Sequence, residues 1–276
     1  MKEAEKKKKF QNISEGIKEI KIQGARNIAK KALYAYDLIP TKASMKKLKS
    51  LRPTEPMLMN VLDRAEDGET YEALLKHFDD AQDKINKIVY DLIEYDDVIY
   101  THCHSTNVTN ALIYAKKKGK NFEVYNTETR PLFQGRKTAR ELRKAGIKVT
   151  MFIDSAMDIA LSRKQKTRTV SKIMVGADAL LKEGVINKIG SGMLAKLAKI
   201  NKIPLYVVAD SWKYSSKHVK IEERDFHEVW KKIPKKSKIK IRNPAFELIP
   251  RKNLKGIVTE LGLMSYNKFL KEIKKY

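Results

Sequence analysis

The stretch Asp97-Val98-Ile99-Tyr100-Thr101-His102-Cys103-His104-Ser105 decides the reading of this chain. Its apolar, β-branched start reads as a buried strand, and its polar end as the carboxyl edge of that strand. In a parallel α/β sheet, chemistry sits at that edge. Lys172-Ile173-Met174-Val175-Gly176-Ala177-Asp178 repeats the pattern and ends on a carboxylate. A thiol and a carboxyl at neighbouring strand tips would make an acid–base pair.

Outward from these segments, short β-rich runs at 98–101, 122–126, 149–153, 173–175 and 205–209 alternate with helical stretches such as 134–145 and 192–201. Five such units predict a Rossmann-like, mostly parallel sheet flanked by helices. Residues 1–88 read instead as a helical domain, with Ile13, Ile17, Ile20, Ile28 and Leu33 at helical spacing and a second periodic run from Tyr71 to Ile93. The Arg52-Pro53-Thr54-Glu55-Pro56 segment interrupts them as a rigid turn. The expected organisation is therefore α/β, with an N-terminal helical domain (1–88) and a Rossmann-like catalytic or ligand-binding domain (89–276).

Composition narrows the function classes. The 276 residues include one cysteine, which excludes an internal disulfide and fits a reducing cytoplasm. No signal peptide is visible at the start, and no run approaches the roughly 20 apolar residues of a membrane span. The net charge of +25 comes from 58 Lys+Arg against 33 Asp+Glu. The lysines spread along the chain, with short runs at 6–9, 116–118 and 231–240, and no RNA-binding signature accompanies them. A solvated surface, phosphate steering and nucleic-acid binding are the three readings of that charge. No GxGxxG follows the first strand and no GxxxxGK[ST] occurs, so neither a dinucleotide site nor a P-loop is supported.

The individual residues carry competing readings. Cys103 is either a buried strand thiol or a reactive one, with the Ser105-Thr106-Asn107 helix opening expected to favour thiolate and phosphate. His102, Cys103 and His104 suggest a metal cluster, but strand alternation would turn Cys103 away from both histidines. Asp178 is either a turn cap or a carboxyl desolvated enough to stay protonated. Segment 184–190 sets Asn187 and Lys188 beside it, and Lys213, after Ala209-Asp210-Ser211-Trp212, supplies a cation at the next strand tip. Exposed lysine is the default for either.

Taken in order, Thr101-His102-Cys103-His104-Ser105, Glu128-Thr129-Arg130-Pro131 with Gln134-Gly135, Val175-Gly176-Ala177-Asp178, Asn187-Lys188-Ile189-Gly190, Val208-Ala209-Asp210 and Arg242-Asn243-Pro244-Ala245-Phe246 resemble the signature blocks of one superfamily. It holds the alpha, beta and delta subunits of translation initiation factor 2B, methylthioribose-1-phosphate isomerase and archaeal ribose-1,5-bisphosphate isomerase. The resemblance, from about residue 20 to 262, implies dimers or hexamers and no metal, nicotinamide or flavin. It implies catalysis by Cys103 and Asp178, with Gly24, Ala25, Arg26, Arg52, Ser105, Asn107, Asn187, Lys188 and Lys213 holding phosphates and hydroxyls. Arg52-Pro53-Thr54-Glu55-Pro56 looks most like the bisphosphate isomerase branch, in which the arginine meets a substrate phosphate. The activity this implies is conversion of ribose 1,5-bisphosphate to ribulose 1,5-bisphosphate in nucleotide salvage.

Two departures stand out. Isomerases usually carry Arg-Gly-Ala near the first helix where this chain has Gln23-Gly24-Ala25-Arg26, and His104 stands where they often carry Asn. Gln23 resembles the regulatory subunits, whose reading is a non-enzymatic protein that binds a nucleotide or sugar phosphate and meets initiation factor 2.

Overall fold

The structure, a computed structural model, describes residues 1–163, 165–232 and 238–276. Residues 233–237 of the basic run at 231–240 therefore lie outside the described residues. Five helices open the chain: α1 (Glu3–Lys18), α2 (Ala25–Leu38), α3 (Lys42–Leu51), α4 (Pro56–Glu66) and α5 (Tyr71–Leu92). Local chemistry sets their starts. The Thr41 and Thr70 side chains accept the Ser44 and Ala73 amides, and Pro56 occupies the first turn of α4, where no backbone donor is missed. Ile20 is not part of a continuous helix. It takes a left-handed φ of 60° where the chain reverses between α1 and α2.

The remainder alternates β1 (Asp97–Thr101), α6 (Thr106–Lys117), β2 (Phe122–Thr127), α7 (Gln134–Lys144), β3 (Lys148–Phe152), α8 (Met157–Leu161) and β4 (Lys172–Val175). It continues through β5 (Ala179–Leu180), β6 (Gly184–Lys188), α9 (Ser191–Ile200), β7 (Leu205–Val208), β8 (Phe246–Pro250), β9 (Gly256–Thr259), β10 (Gly262–Met264) and α10 (Tyr266–Glu272). The main sheet has seven strands in the order β10-β9-β7-β4-β1-β2-β3, parallel except for β10. The five predicted strands form its centre and one edge. A second, three-stranded antiparallel sheet, β5-β6-β8, was not expected: segment 184–190 is mostly its middle strand.

Burial follows strand alternation. Ile99, Val124, Met174, Val208 and Val258 face α5, α6 and α7 through Ile85, Val89, Val108, Leu112 and Leu142. Tyr100, Ile173, Val175, Val207 and Ile257 face the opposite layer, with Leu194 of α9 and Phe269 of α10. The expected division at 88/89 falls inside α5. Its first half puts Leu74 and Phe78 into the helical core, and its second half covers the sheet.

One aromatic side chain closes the helical layer onto the strand ends. Trp212, just past β7, is buried in the helical core, stacked on His77 with ring centroids 3.5 Å apart and edge-on to Phe78 at 5.6 Å. The Asn60 amide of α4 donates to the Trp212 and Tyr214 carbonyls at 2.6 and 2.9 Å, fixing the same loop. Trp212→Ala is expected to cost about 3–5 kcal/mol, because the void has two layers as walls. Urea unfolding measures this, and a loss below about 1 kcal/mol would show that the layers do not depend on this contact.

Candidate functional site

The strand order reverses between β1 and β4, where one half of the sheet winds toward β3 and the other toward β9. A crevice opens at such a switch point because the two connections leave in opposite directions. Cys103 follows β1 and Asp178 follows β4. Both line one cavity of about 250 Å³, together with Gly24, Ala25, Arg26, Arg52, Ser105, Asn107, Asn187, Lys188 and Lys213. Every site residue expected from the sequence thus meets the same cavity. Gln23, Glu55, His104, Lys137, Arg224 and Phe246 line it as well.

Cys103 is not in the strand. β1 stops at Thr101 and Cys103 has a left-handed φ of 69°, so the alternation argument does not apply to it. Its backbone is clamped at both ends: its amide donates to Thr129 Oγ1 (3.1 Å), and Thr138 Oγ1 donates to its carbonyl (3.0 Å). The two histidines have their own work. His102 bonds Thr127 Oγ1 and, through Nε2, the Ile189 carbonyl, while His104 Nδ1 bonds Thr138 Oγ1. Among the described residues, the His/Cys/carboxylate group whose ligand atoms converge is His77, Asp210 and Glu260, away from this cavity. There Asp210 accepts the Trp212 amide and Glu260 takes both the amide and the hydroxyl of Ser211.

The expected thiolate is not what the site favours. Burial pushes the Cys103 thiol up to about 12, with the Lys188 ammonium opposing and Asp178 reinforcing. For Asp178 the contest between burial and cations goes to burial. Its carboxyl lies above the ordinary range although Lys213, Lys188 and Arg52 pull it down. Glu55, which the sequence reading passed over, is buried and pushed up to about 8, first by burial and then by Asp178. The Arg52-Pro53-Thr54-Glu55 turn was the available signal, since it sets a carboxyl three residues from a site arginine.

Electrostatically the cavity is built for anions. Arg26, Arg52, Lys137, Lys188, Lys213 and Arg224 line it against the carboxyls of Glu55 and Asp178. Lys188 and Lys213 are buried, not the exposed lysines of the default reading. Lys213 Nζ donates to the Ala177 carbonyl at 2.6 Å. Lys188, 2% exposed, forms no ion pair within 4 Å among the described residues; its ammonium lies 5.6 Å from the Phe246 ring and acts on Cys103 and Asp178 from farther off. A buried cation without a counter-charge is costly unless an anion completes it.

Two helix N-termini add to this. Gly24 precedes α2 with φ 84° and no side chain to cap it, leaving the first amides of α2 at the cavity. Ser105 caps α6 by accepting the Val108 amide at 3.4 Å, and Thr106 and Asn107 line the cavity. Gly176 is required here, since a Cβ would come within 2.4 Å of Ser105 Oγ.

Several of these lining residues are themselves held in place by neighbours. The Arg26 guanidinium is held by Asp79 (2.7 Å) and Gln82 (3.3 Å) of α5, and the Asn107 amide donates to Gln82 Oε1 at 3.0 Å. Arg52 bonds Glu55 and Glu222, both at 3.1 Å. Asn187 Nδ2 donates to Ser191 Oγ at 2.9 Å.

Residues 22–266 match the model of the initiation factor 2 subunit family. The chain belongs to this family. Among its relatives, a ribose 1,5-bisphosphate isomerase of Archaeoglobus fulgidus is 33% identical over 279 residues, covering 90% of this chain and 87% of the relative. One of the same name from Methanocaldococcus jannaschii is also 33% identical, covering 91% and 89%. A crystal structure of translation initiation factor eIF-2B from Pyrococcus horikoshii superposes with a TM-score of 0.77 at 29% identity, over 93% of this chain and 96% of that one. This member of the family therefore has both sugar-phosphate isomerases and initiation-factor subunits among its relatives.

Because Cys103 is the chain's one cysteine, its ionisation can be read directly by alkylation. In the free protein, iodoacetamide at pH 7.5 should react about 10²-fold more slowly than with an unperturbed cysteine, after allowing for the higher nucleophilicity of a more basic thiolate. The rate should still be climbing at pH 10. A plateau below pH 9 would mean that Lys188 and the α6 N-terminus outweigh burial.

Proposed function

We propose that this protein is an aldose–ketose isomerase of a phosphorylated pentose, with ribose 1,5-bisphosphate as substrate and ribulose 1,5-bisphosphate as product. One observation carries the reading: a thiol and a carboxyl at adjacent strand ends share a cation-lined cavity. The two helix N-termini, with Lys188 and Lys213, suit a ligand bearing a phosphate at each end. The relatives named ribose 1,5-bisphosphate isomerase support the choice of pentose.

The steps balance with two residues. Asp178, protonated, gives its proton to the ring oxygen as the bond from that oxygen to C1 breaks. Cys103, as thiolate, removes the proton on C2, leaving an enol across C1 and C2 with the phosphate still on C1. Cys103 returns that proton to C1, and the Asp178 carboxylate takes the hydroxyl proton at C2 to give the ketone. Both residues end as they began. In the reactive arrangement the pair carries a single proton, on Asp178, the Cys103 thiol having first given its own to solvent. Lys188, whose charge favours ionisation of both groups, helps the thiolate form.

A second reading, a non-enzymatic subunit akin to those of initiation factor 2B, draws on Gln23 at the cavity and on an Arg26 guanidinium tied to α5. Capture of initiation factor 2 from native extract, equally by wild type and Cys103→Ser, would favour it. Otherwise a coupled assay should detect ketose from ribose 1,5-bisphosphate and much less from 5-methylthioribose 1-phosphate. Silence with every phosphorylated pentose would remove the isomerase.

Cys103→Ser should lower turnover by about 10²–10⁴-fold without loss of fold or ligand affinity, since a hydroxyl is a far weaker base. Asp178→Asn keeps shape and a donor but has no proton to transfer. It should bind product within a few-fold of wild type by calorimetry and show no measurable turnover. Normal turnover by Asp178→Asn would leave this carboxyl a turn residue and end the two-residue mechanism.

A further inference from the structure

Glu55 stands at the N-cap of α4, where an acidic side chain would ordinarily serve the helix, yet it makes no side-chain cap there. Its backbone carbonyl takes the Leu58 and Met59 amides, and its carboxyl belongs to the cavity instead. Oε1 accepts from Arg52 at 3.1 Å. Oε2 is buried and has no hydrogen-bond partner, and the residue as a whole is 4% exposed. A buried carboxyl oxygen left without a partner is uncommon enough to require an explanation. Neither the acid–base pair nor the anion-binding lysines use it.

The chemistry of the surroundings restricts what can complete it. Arg52, Asp178, Lys213 and Glu222 are the charged groups that act on Glu55. Arg52 is already shared with Glu222, and Asp178 lines the same cavity and acts on Glu55 there. A hydroxyl both donates and accepts, so it matches the carboxyl in either protonation state, whereas a phosphate would be repelled as soon as either carboxyl ionised. We propose that Glu55 is a substrate-binding residue whose Oε2 hydrogen-bonds a sugar hydroxyl in the stretch of ligand between the two anion-binding ends of the cavity. Glu55 then selects a hydroxylated ligand over any bisphosphate of the same length. The assignment rests on the phosphosugar reading above. Burial pushes the pKa of Glu55 up to about 8, so the carboxyl stays protonated and can also donate at neutral pH.

The test is calorimetric titration of the full chain at pH 7 with ribulose 1,5-bisphosphate and with pentane-1,5-diol bisphosphate, which has the same span and no hydroxyls. Wild type should prefer the sugar bisphosphate by at least about tenfold. Glu55→Gln and Glu55→Ala should shrink that preference by about tenfold in the alanine variant and less in glutamine, which keeps a donor. Affinity for the diol bisphosphate should stay within a few-fold in both. Wild-type discrimination that persists unchanged in both variants overturns the proposal and reduces Glu55 to a brace for Arg52. If wild type binds neither bisphosphate, the phosphosugar reading fails and this assignment fails with it. Thermal melting identifies a misfolded Glu55→Ala protein, in which case Glu55→Gln alone decides: an undiminished sugar preference and an unaltered fall in affinity above pH 8 overturn the proposal.

Discussion

The carboxamide of Gln82, buried midway along α5, is where the two layers of the molecule are tied to one another. Its oxygen accepts from Asn107 of α6 at 3.0 Å and from Arg26 of α2 at 3.3 Å. Its nitrogen donates to Asn86 at 2.7 Å and to the Asn107 carbonyl at 3.3 Å. The first turns of α2 and α6 are therefore referenced to one point on a helix that packs on both the helical core and the sheet. The relative placement of the two helix N-termini at the cavity depends on this amide. In a low-dielectric interior such a network holds only one arrangement, because an unmatched donor or acceptor there is expensive. Arg26 and Asn107, which line the cavity, also spend hydrogen bonds on holding that geometry.

Burial decides the charge state of what lies between. The same desolvation raises the Cys103 thiol, the Asp178 carboxyl and the Glu55 carboxyl, and depresses Lys213. Acids are held toward their neutral forms, and the cationic lining is left without enough anions to balance it. An incoming dianion answers this imbalance. It is also the group that a chain of net charge +25 attracts over a distance, so surface and cavity act in the same direction.

The main sheet was legible because its central strands are short, β-rich and buried on both faces. Runs at 98–101, 122–126, 149–153, 173–175 and 205–209 each lie within a residue of an observed strand. β5, β6 and β8 were not, since β5 has two residues, and β6 ends on Asn187 and Lys188, which read as loop polarity. The lysine is tolerated in a strand because it turns into a cavity rather than a core. Cys103 was placed correctly along the chain and wrongly in conformation. No local signal announces a left-handed cysteine; Thr129 and Thr138, 26 and 35 residues away, impose it.

The chain's own pattern of residues was sufficient to determine the α/β class, the helical N-terminal layer and the order of the blocks that meet at the cavity. Those features follow from periodicity and from residue identity, which are local. The state of each group was decided by tertiary structure alone. Whether Cys103 is thiol or thiolate, whether Arg26 faces a ligand or α5, and whether Glu55 caps a helix or lines a cavity depend on burial and on partners distant in sequence. Desolvation and hydrogen-bond satisfaction act through space, so they exist only once the two layers have closed on each other.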